Sequence, residues 1–299
     1  MQTIKELFGT SKPIIALLHL RELPGDPGYV RGDKIEHQVE MARRELTALQ
    51  DGGIDGILFS NEFSYPYIDE LSHVTTAAMA YIIGRLKGEI RVPFGVHAIS
   101  DPMATIDLAA AVDAQFVRSV FTGGYVGESG IRSKNAGSYV RRRRELELDD
   151  LMMFYMINAE SDGDLSGRDL AVTAKAAVFK CHPQGLCMSG IHAGQDADTD
   201  ALKRIREAVP GTPVFSNTGT RRENGRSRQK IWGFLTTGFW VQRVIWGLSG
   251  HSAGHVRHGT ARGDGRTNFH LKQRLDVTRP MEGKWYIALI ICGNYIRRR

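Results

Sequence analysis

The sequence predicts an α/β fold, a (β/α)8 barrel, on three observations. Short apolar runs alternate with amphipathic stretches, seven such units can be counted before residue 224, and nearly every apolar run ends in a polar residue or a glycine turn. The first run, Pro13 to Leu18, ends at His19 and is too continuously apolar for a strand wetted on one face. A helix follows over Lys34 to Gln50, where Val39, Ala42, Leu46 and Leu49 recur at helical spacing before Gly52 and Gly53 stop it. Gly56 to Ser60 is the second strand, running directly into Asn61 and Glu62, and Val74 to Leu86 is the helix behind it. The third unit pairs the strand Pro93 to Val96, with His97 at its end, with the helix Pro102 to Val112, whose proline suits a first helical turn. The fourth strand, Phe116 to Val120, contains Arg118 and leads into a glycine-rich loop, Thr122 to Gly130, then a polar helix through Arg141 to Arg144. Strands five to seven are Leu151 to Ile157, Gly185 to Ser189 and Pro213 to Ser216, with helices near Asp169 to Phe179 and Thr199 to Val209 between them.

A doubly wound sheet would also give repeated βα units, but no GxGxxG follows the first strand, and polar residues close strand after strand. In a barrel those strand ends converge on one face, where active sites are built. The eighth strand is expected to be lost or replaced: its place falls in an atypical segment whose strand-like fragment, Gly238 to Val244, is poorly patterned. The 299 residues, 42% apolar and 24% charged, suit a globular chain with a real core. No apolar run reaches the roughly 20 residues that cross a bilayer, and no secretory signal is visible, so a cytoplasmic, membrane-free protein is expected. Cys181, Cys187 and Cys292, an odd number without metal-like spacing, predict reduced thiols and no disulfide framework.

The charge is divided unevenly. Residues 225–299 carry fourteen Lys and Arg against three Asp and Glu, net +11, leaving 25 basic and 30 acidic side chains, net −5, in residues 1–224. All four tryptophans also lie in the last 75 residues. The expected organisation is therefore a barrel over 1–224 and an aberrant basic segment over 225–299. Without apolar periodicity or a module signature, the segment reads as an out-of-frame product of a frameshift, or as disordered, rather than as a nucleic-acid tail. His251, His255 and His258 stand at helix-compatible spacing there, but Gly250, Gly254 and Gly259 argue against a helical metal stripe.

Among the candidate site residues, Glu62 and Asn61 follow an apolar strand into the barrel mouth, where a carboxylate could act as general base, or merely cap or pair at the surface. His19 and His97 could be acids, bases or ligands, or buried histidines bonded to a neighbouring loop. His19, Glu62 and His97 together would admit a metal, but one ligand per strand cannot be verified from spacing, and no metal is assigned. The segment Ser216 to Thr220, with Asn217, Thr218 and Gly219, follows strand seven, where barrels often bind phosphate, and Ser189, Gly190 and Gly194 adjoin it. A plain turn is the alternative. The loop Thr122 to Gly130 reads as a flexible closing loop or a connector, and Arg141 to Arg144 is compensated by Glu145, Glu147, Asp149 and Asp150.

The strings KPIIALLHLRELPGDPGY, GGIDGILFSNEFSYPY, VPFGVHAISDPMATIDLAAAV, QFVRSVFTGGYVGESG, CMSGIHAG and PVFSNTGTRREN resemble the BtpA/SgcQ family over Lys12 to Asn224. Through SNEFS and FVRSVFTG the chain looks closer to the SgcQ branch than to the cyanobacterial branch linked with photosystem I biogenesis. The resemblance implies a TIM barrel of the ribulose-phosphate-binding type, tied to sugar metabolism and acting on sugars or nucleosides. It maps the family's strand-end motifs onto His19, Asn61, Glu62, Arg118, Ser189, Gly190, Asn217 and Gly219. His97 stands where relatives commonly have asparagine, and after Asn224 the family's ADG-then-GT closing strand is missing.

The leading expectation is an enzyme of carbohydrate metabolism acting on a phosphorylated sugar or nucleoside-like substrate. Glu62 would be acid or base, Asn61 and His19 would orient the substrate, and Arg118, Ser189, Gly190, Asn217, Thr218 and Gly219 would hold phosphate. The cofactor is unknown, and a homo-oligomer is open. The second expectation is a non-catalytic assembly or stability factor, and a nucleic-acid binder acting through the basic segment ranks last.

Overall fold

The structure, a computed structural model, describes residues 2–30, 32–192, 195–217 and the backbone of 239–242. Eight parallel strands close into a barrel in the order β1, β2, β3, β4, β7, β9, β10, β11 and back to β1. These are β1 (Ile14–His19), β2 (Gly56–Ser60), β3 (Phe94–His97), β4 (Phe116–Ser119), β7 (Met152–Met156), β9 (Gly185–Met188), β10 (Val214–Ser216) and β11 (Phe239–Gln242). The eighth position, expected to be lost or replaced, is thus filled by β11 from inside the basic segment. Ile14 to Leu17 pair with Phe239 to Gln242, and Ser216 pairs with Phe239 on the other side. The two open edges expected of a seven-strand sheet are therefore paired. Strand pairing is settled by neighbours far away in sequence, so a strand embedded in unpatterned sequence leaves little local trace.

Helices α2 (Ile35–Asp51), α3 (His73–Leu86), α4 (Pro102–Val112), α5 (Ala136–Glu145), α6 (Leu170–Cys181) and α7 (Thr199–Ala208) surround the barrel. Side-chain caps start five of them: Ser72, Asp101, Asn135, Asp169 and Asp198 each accept a first-turn N–H, and Pro102 opens α4 as expected. Among the described residues no helix is long and apolar enough to cross a membrane, and Cys181 and Cys187 are not joined in a disulfide.

The continuous apolarity of the strands follows from burial on both faces. Ala16, Leu18, Ile57, Phe59, Val96, Val117, Met153, Tyr155, Leu186 and Val214 pack toward the helices. Alternate residues, Ile15, Leu17, Leu58, Phe116, Met152, Phe154, Met156, Cys187 and Phe215, fill the barrel interior. A short helix the sequence did not announce, α1 (Ile4–Phe8), adds Ile4 and Phe8 to that inner cluster. Its start is held by a Thr3/Glu6 capping box. Phe8 meets Phe116 at 5.4 Å between centroids, Phe116 meets Phe154 at 5.7 Å and Phe154 meets Phe215 at 5.0 Å.

The glycine-rich stretch after β4 is ordered: β5 (Gly123–Gly127) and β6 (Gly130–Lys134) form an antiparallel hairpin, and β8 (Gly163–Asp164) pairs with β5. Glycine lowers strand propensity and hides the alternation, so the stretch reads locally as a loop.

The aromatic layer depends on residues without side chains. A Cβ on Gly95 would run into the Phe116 ring, whereas one on Gly84, in α3, would meet nothing. Gly95→Ala is expected to destabilise the protein by about 1–3 kcal/mol through overpacking, seen as a lower urea midpoint. Gly84→Ala, at an open helical position, should leave the midpoint unchanged or raise it.

Candidate functional site

Because side chains alternate along a strand, the residue two places beyond an inward apolar residue also points inward. Leu17 is followed in this way by His19, Leu58 by Ser60, Phe116 by Arg118, Cys187 by Ser189 and Phe215 by Asn217. Register places Ser60 directly between His19 and His97. The C-terminal end of the barrel therefore carries a polar layer on an apolar floor.

Arg118 organises that layer. It is 4% exposed, and its guanidinium donates from Nη1 to Asn217 Oδ1 at 2.5 Å and from Nη2 to His97 Nδ1 at 3.2 Å. A guanidinium has donors only, so both partners must accept. His97 then carries its proton on Nε2, and the Asn217 amide turns its Nδ2 to Ser189 Oγ at 2.6 Å and toward Glu160 Oε1 at 3.5 Å. Asn158 fixes Ser189, accepting from its backbone N–H and donating to its carbonyl, both at 3.0 Å. Gly190 follows where a Cβ would collide with the Gln195 carbonyl.

Glu62, with 17% of its side chain exposed, faces His19 Nε2 at 3.7 Å. Burial raises the Glu62 carboxyl above its ordinary range, and the Arg118 charge partly opposes the rise. Burial, then the charges of Arg118 and Arg21, lowers His19 to about 3. His97 is held well below the ordinary imidazole range by burial, then by Arg118 and His19. Both imidazoles are neutral near pH 7, and His19 meets Glu62 as a neutral neighbour.

A cavity of about 120 Å³ opens here, with Leu17 and Met156 among its apolar residues and Glu62, His97 and Arg118 among its polar ones. The hairpin contributes Tyr125, Arg132 and Lys134. Lys134 Nζ donates to Asp69 Oδ1 at 2.9 Å and to the Ser100 carbonyl at 2.8 Å. Arg132 bonds Asp162, and Ser100 Oγ at 3.1 Å. Tyr67, which also lines the cavity, donates from its hydroxyl to the Glu62 carbonyl at 2.8 Å.

Of the residues singled out in the sequence, Glu62, His97 and Arg118 line the cavity, and His19 stands against Glu62. Ser189 and Asn217 join the site through Arg118. Asn61 is turned elsewhere: its Oδ1 accepts from the Ile99 N–H at 2.7 Å, bracing the loop after β3. Thr218, Gly219 and Gly194 lie outside the described residues, as does the histidine stripe. No group of three His, Cys, Asp or Glu that could hold a metal is present among the described residues, and Arg118 occupies His97 Nδ1 with a cation. Sequence reasoning missed Tyr67, Arg132, Lys134, Glu160 and Asp162. The alternation of Arg132 and Lys134 was visible once β6 was recognised as a strand, whereas nothing local marked Tyr67.

The profile of the BtpA family matches residues 10–244, through β11 and twenty residues past Asn224, where the resemblance read from the sequence ended. The SgcQ protein of the sgc region in Escherichia coli K12 is 43% identical over 231 residues, 77% of this chain and 86% of that protein. The photosystem I biogenesis protein BtpA of Synechocystis is 28% identical over 222 residues, 73% of this chain and 76% of that protein. Among solved structures, (S)-3-O-geranylgeranylglyceryl phosphate synthase from Thermoplasma acidophilum overlaps 81% of this chain and 91% of its own at 14% identity, with a TM-score of 0.49. With the family profile spanning most of the sequence and a relative of this identity covered over most of its length, the chain belongs to the BtpA family.

Proposed function

We propose that this protein is an enzyme of carbohydrate metabolism that binds a small phosphorylated sugar, or a nucleoside-like molecule, at the C-terminal mouth of the barrel. One cavity is lined by both a carboxyl that burial raises above its ordinary range and a buried guanidinium, and this pairing carries the reading. A carboxyl raised in this way holds its proton more tightly than an exposed one and can both take and return it. In this reading Glu62 is the acid or base, and His19 holds the Glu62 carboxyl in place. The phosphate lies on the side of Ser189, Gly190 and Asn217, where Arg118 supplies positive potential through Asn217. The hairpin, pinned by Lys134 and Arg132, covers the opposite side and keeps water from the reacting atoms. The name of the Synechocystis relative favours a second reading, an assembly factor that binds a protein partner and turns over no sugar.

Glu62→Gln is expected to lower kcat by about 100-fold or more with little change in KM, measured on a panel of sugar monophosphates. Turnover equal to the parent protein would remove Glu62 from the chemistry. If Glu62 acts as base, the acid limb of kcat/KM should fall above the ordinary carboxylate range, because the carboxyl must first lose a more tightly held proton.

Neutral histidines also have a cost in acid. His19 is about 6.5 unfolded and about 3 folded, so the unfolded chain binds the proton first. Its contribution is complete above pH 6.5 and is lost progressively as pH falls toward 3. The urea midpoint should therefore drop between pH 6.5 and pH 4, and His19→Gln should flatten part of that drop.

A further inference from the structure

The proposed function assigns no part in the chemistry to His97, yet His97 lines the same cavity as Glu62 and its hydrogen bonding is unusually constrained. Arg118 can only donate, so His97 Nδ1 accepts and the imidazole proton sits on Nε2. A second positive charge beside the buried guanidinium would be costly, so the ring stays neutral. Its Nε2–H has no partner among the described residues and is the donor that His97 has left for a ligand. Beside it in register stands Ser60, fully buried on the interior side of β2, two residues above Leu58. Its hydroxyl has no hydrogen-bond partner among the described residues. Buried polar atoms in a packed interior are ordinarily paired, so an unpaired hydroxyl next to a committed N–H donor marks a place for oxygen atoms of a ligand.

Resting on the reading of Glu62 as acid or base, we infer that His97 is a second catalytic residue and that the reaction moves a proton between adjacent carbons of an open-chain α-hydroxycarbonyl sugar phosphate. A base for a C–H proton and a neutral N–H donor for the developing oxyanion are what such a transfer requires. The Glu62 carboxylate takes the proton from the hydroxyl-bearing carbon, and the C–H electron pair forms the enediol double bond. The carbonyl π pair moves onto oxygen, which takes the Nε2 proton of His97. His97 recovers a proton from the neighbouring hydroxyl, whose oxygen becomes the new carbonyl as Glu62 returns its proton to the other carbon. Atoms and electrons balance with no oxidant, reductant or further reactant, and aldose and ketose interconvert. Ser60 would hold the hydroxyl next to the reacting carbons. The apolar floor of Leu17 and Met156 shields the enediolate from water.

The test uses the full chain with aldopentose, ketopentose, aldohexose and ketohexose monophosphates in deuterated water, with binding followed by calorimetry and solvent deuterium at the carbon next to the carbonyl followed by NMR. The expected result is that at least one compound binds and exchanges. Exchange should fall by about 100-fold or more in Glu62→Gln and in His97→Gln, whose amide can still accept from Arg118 but cannot pass a proton on. Ser60→Ala, which removes only the hydroxyl, should weaken binding several-fold. Binding without exchange in the parent protein overturns this inference and leaves the sugar-phosphate reading standing. Exchange that His97→Gln, folded by circular dichroism, leaves intact overturns the role of His97. Absence of binding by all four compounds overturns the sugar-phosphate reading and this inference with it.

Discussion

A buried guanidinium must spend its donors on acceptors or the fold pays a heavy desolvation penalty, and the top of this barrel is arranged around meeting that requirement for Arg118. His97 and Asn217 approach from opposite sides of the barrel, one from β3 and the other just past β10, and both must present acceptors. That single demand sets the His97 tautomer and the orientation of the Asn217 amide. Through the amide it also sets the hydrogen bond to Ser189. The same charge opposes the rise in the Glu62 carboxyl and helps keep both histidines neutral. A change at Arg118 would therefore disturb several strands at once.

The polar layer has these properties because of what lies beneath it. Phe8, Phe116, Phe154 and Phe215 fill the lower barrel ring against ring, and Gly56, Gly95 and Gly185 give them room. α1 belongs to the same packing, its Phe8 lying where a Cβ on Gly56 would come within 2.6 Å. A dry, closely packed floor lowers the local dielectric, so charges above it interact strongly and imidazoles resist protonation. Packing at one end of the barrel thus tunes proton affinity at the other.

The hairpin after β4 completes the site by a different means. Its two faces differ: Val126 and Ile131 are cross-strand partners exposed to the outside, whereas Tyr125, Arg132 and Lys134 line the cavity. Lys134 ties it to the loops after β2 and β3 through Asp69 and Ser100, and Arg132 ties it to Asp162 beside β8. These partly buried ion pairs hold the hairpin in position more than they add net stability, since desolvation offsets most of their attraction.

Burial on both faces and helical periodicity leave local patterns, so the repeating βα order, the seven barrel strands through β10, helices α2 to α7, and Glu62, His97 and Arg118 at strand ends were legible in the sequence. It also carried the family likeness in its strand-end motifs. Other features were decided only by tertiary structure. β11 acquires its role by pairing with β1 and β10, residues more than twenty positions away, and the hairpin is stabilised by cross-strand pairing that glycines conceal. Asn61 and Glu62 are neighbours in sequence, yet the pleat sends one to brace the Ile99 backbone and the other to the cavity. The proton affinities of Glu62, His19 and His97 depend on burial and on a charge 99 residues from Asn217, its partner in the network. Local pattern records which face a residue needs to bury, and only the folded chain settles what it meets there.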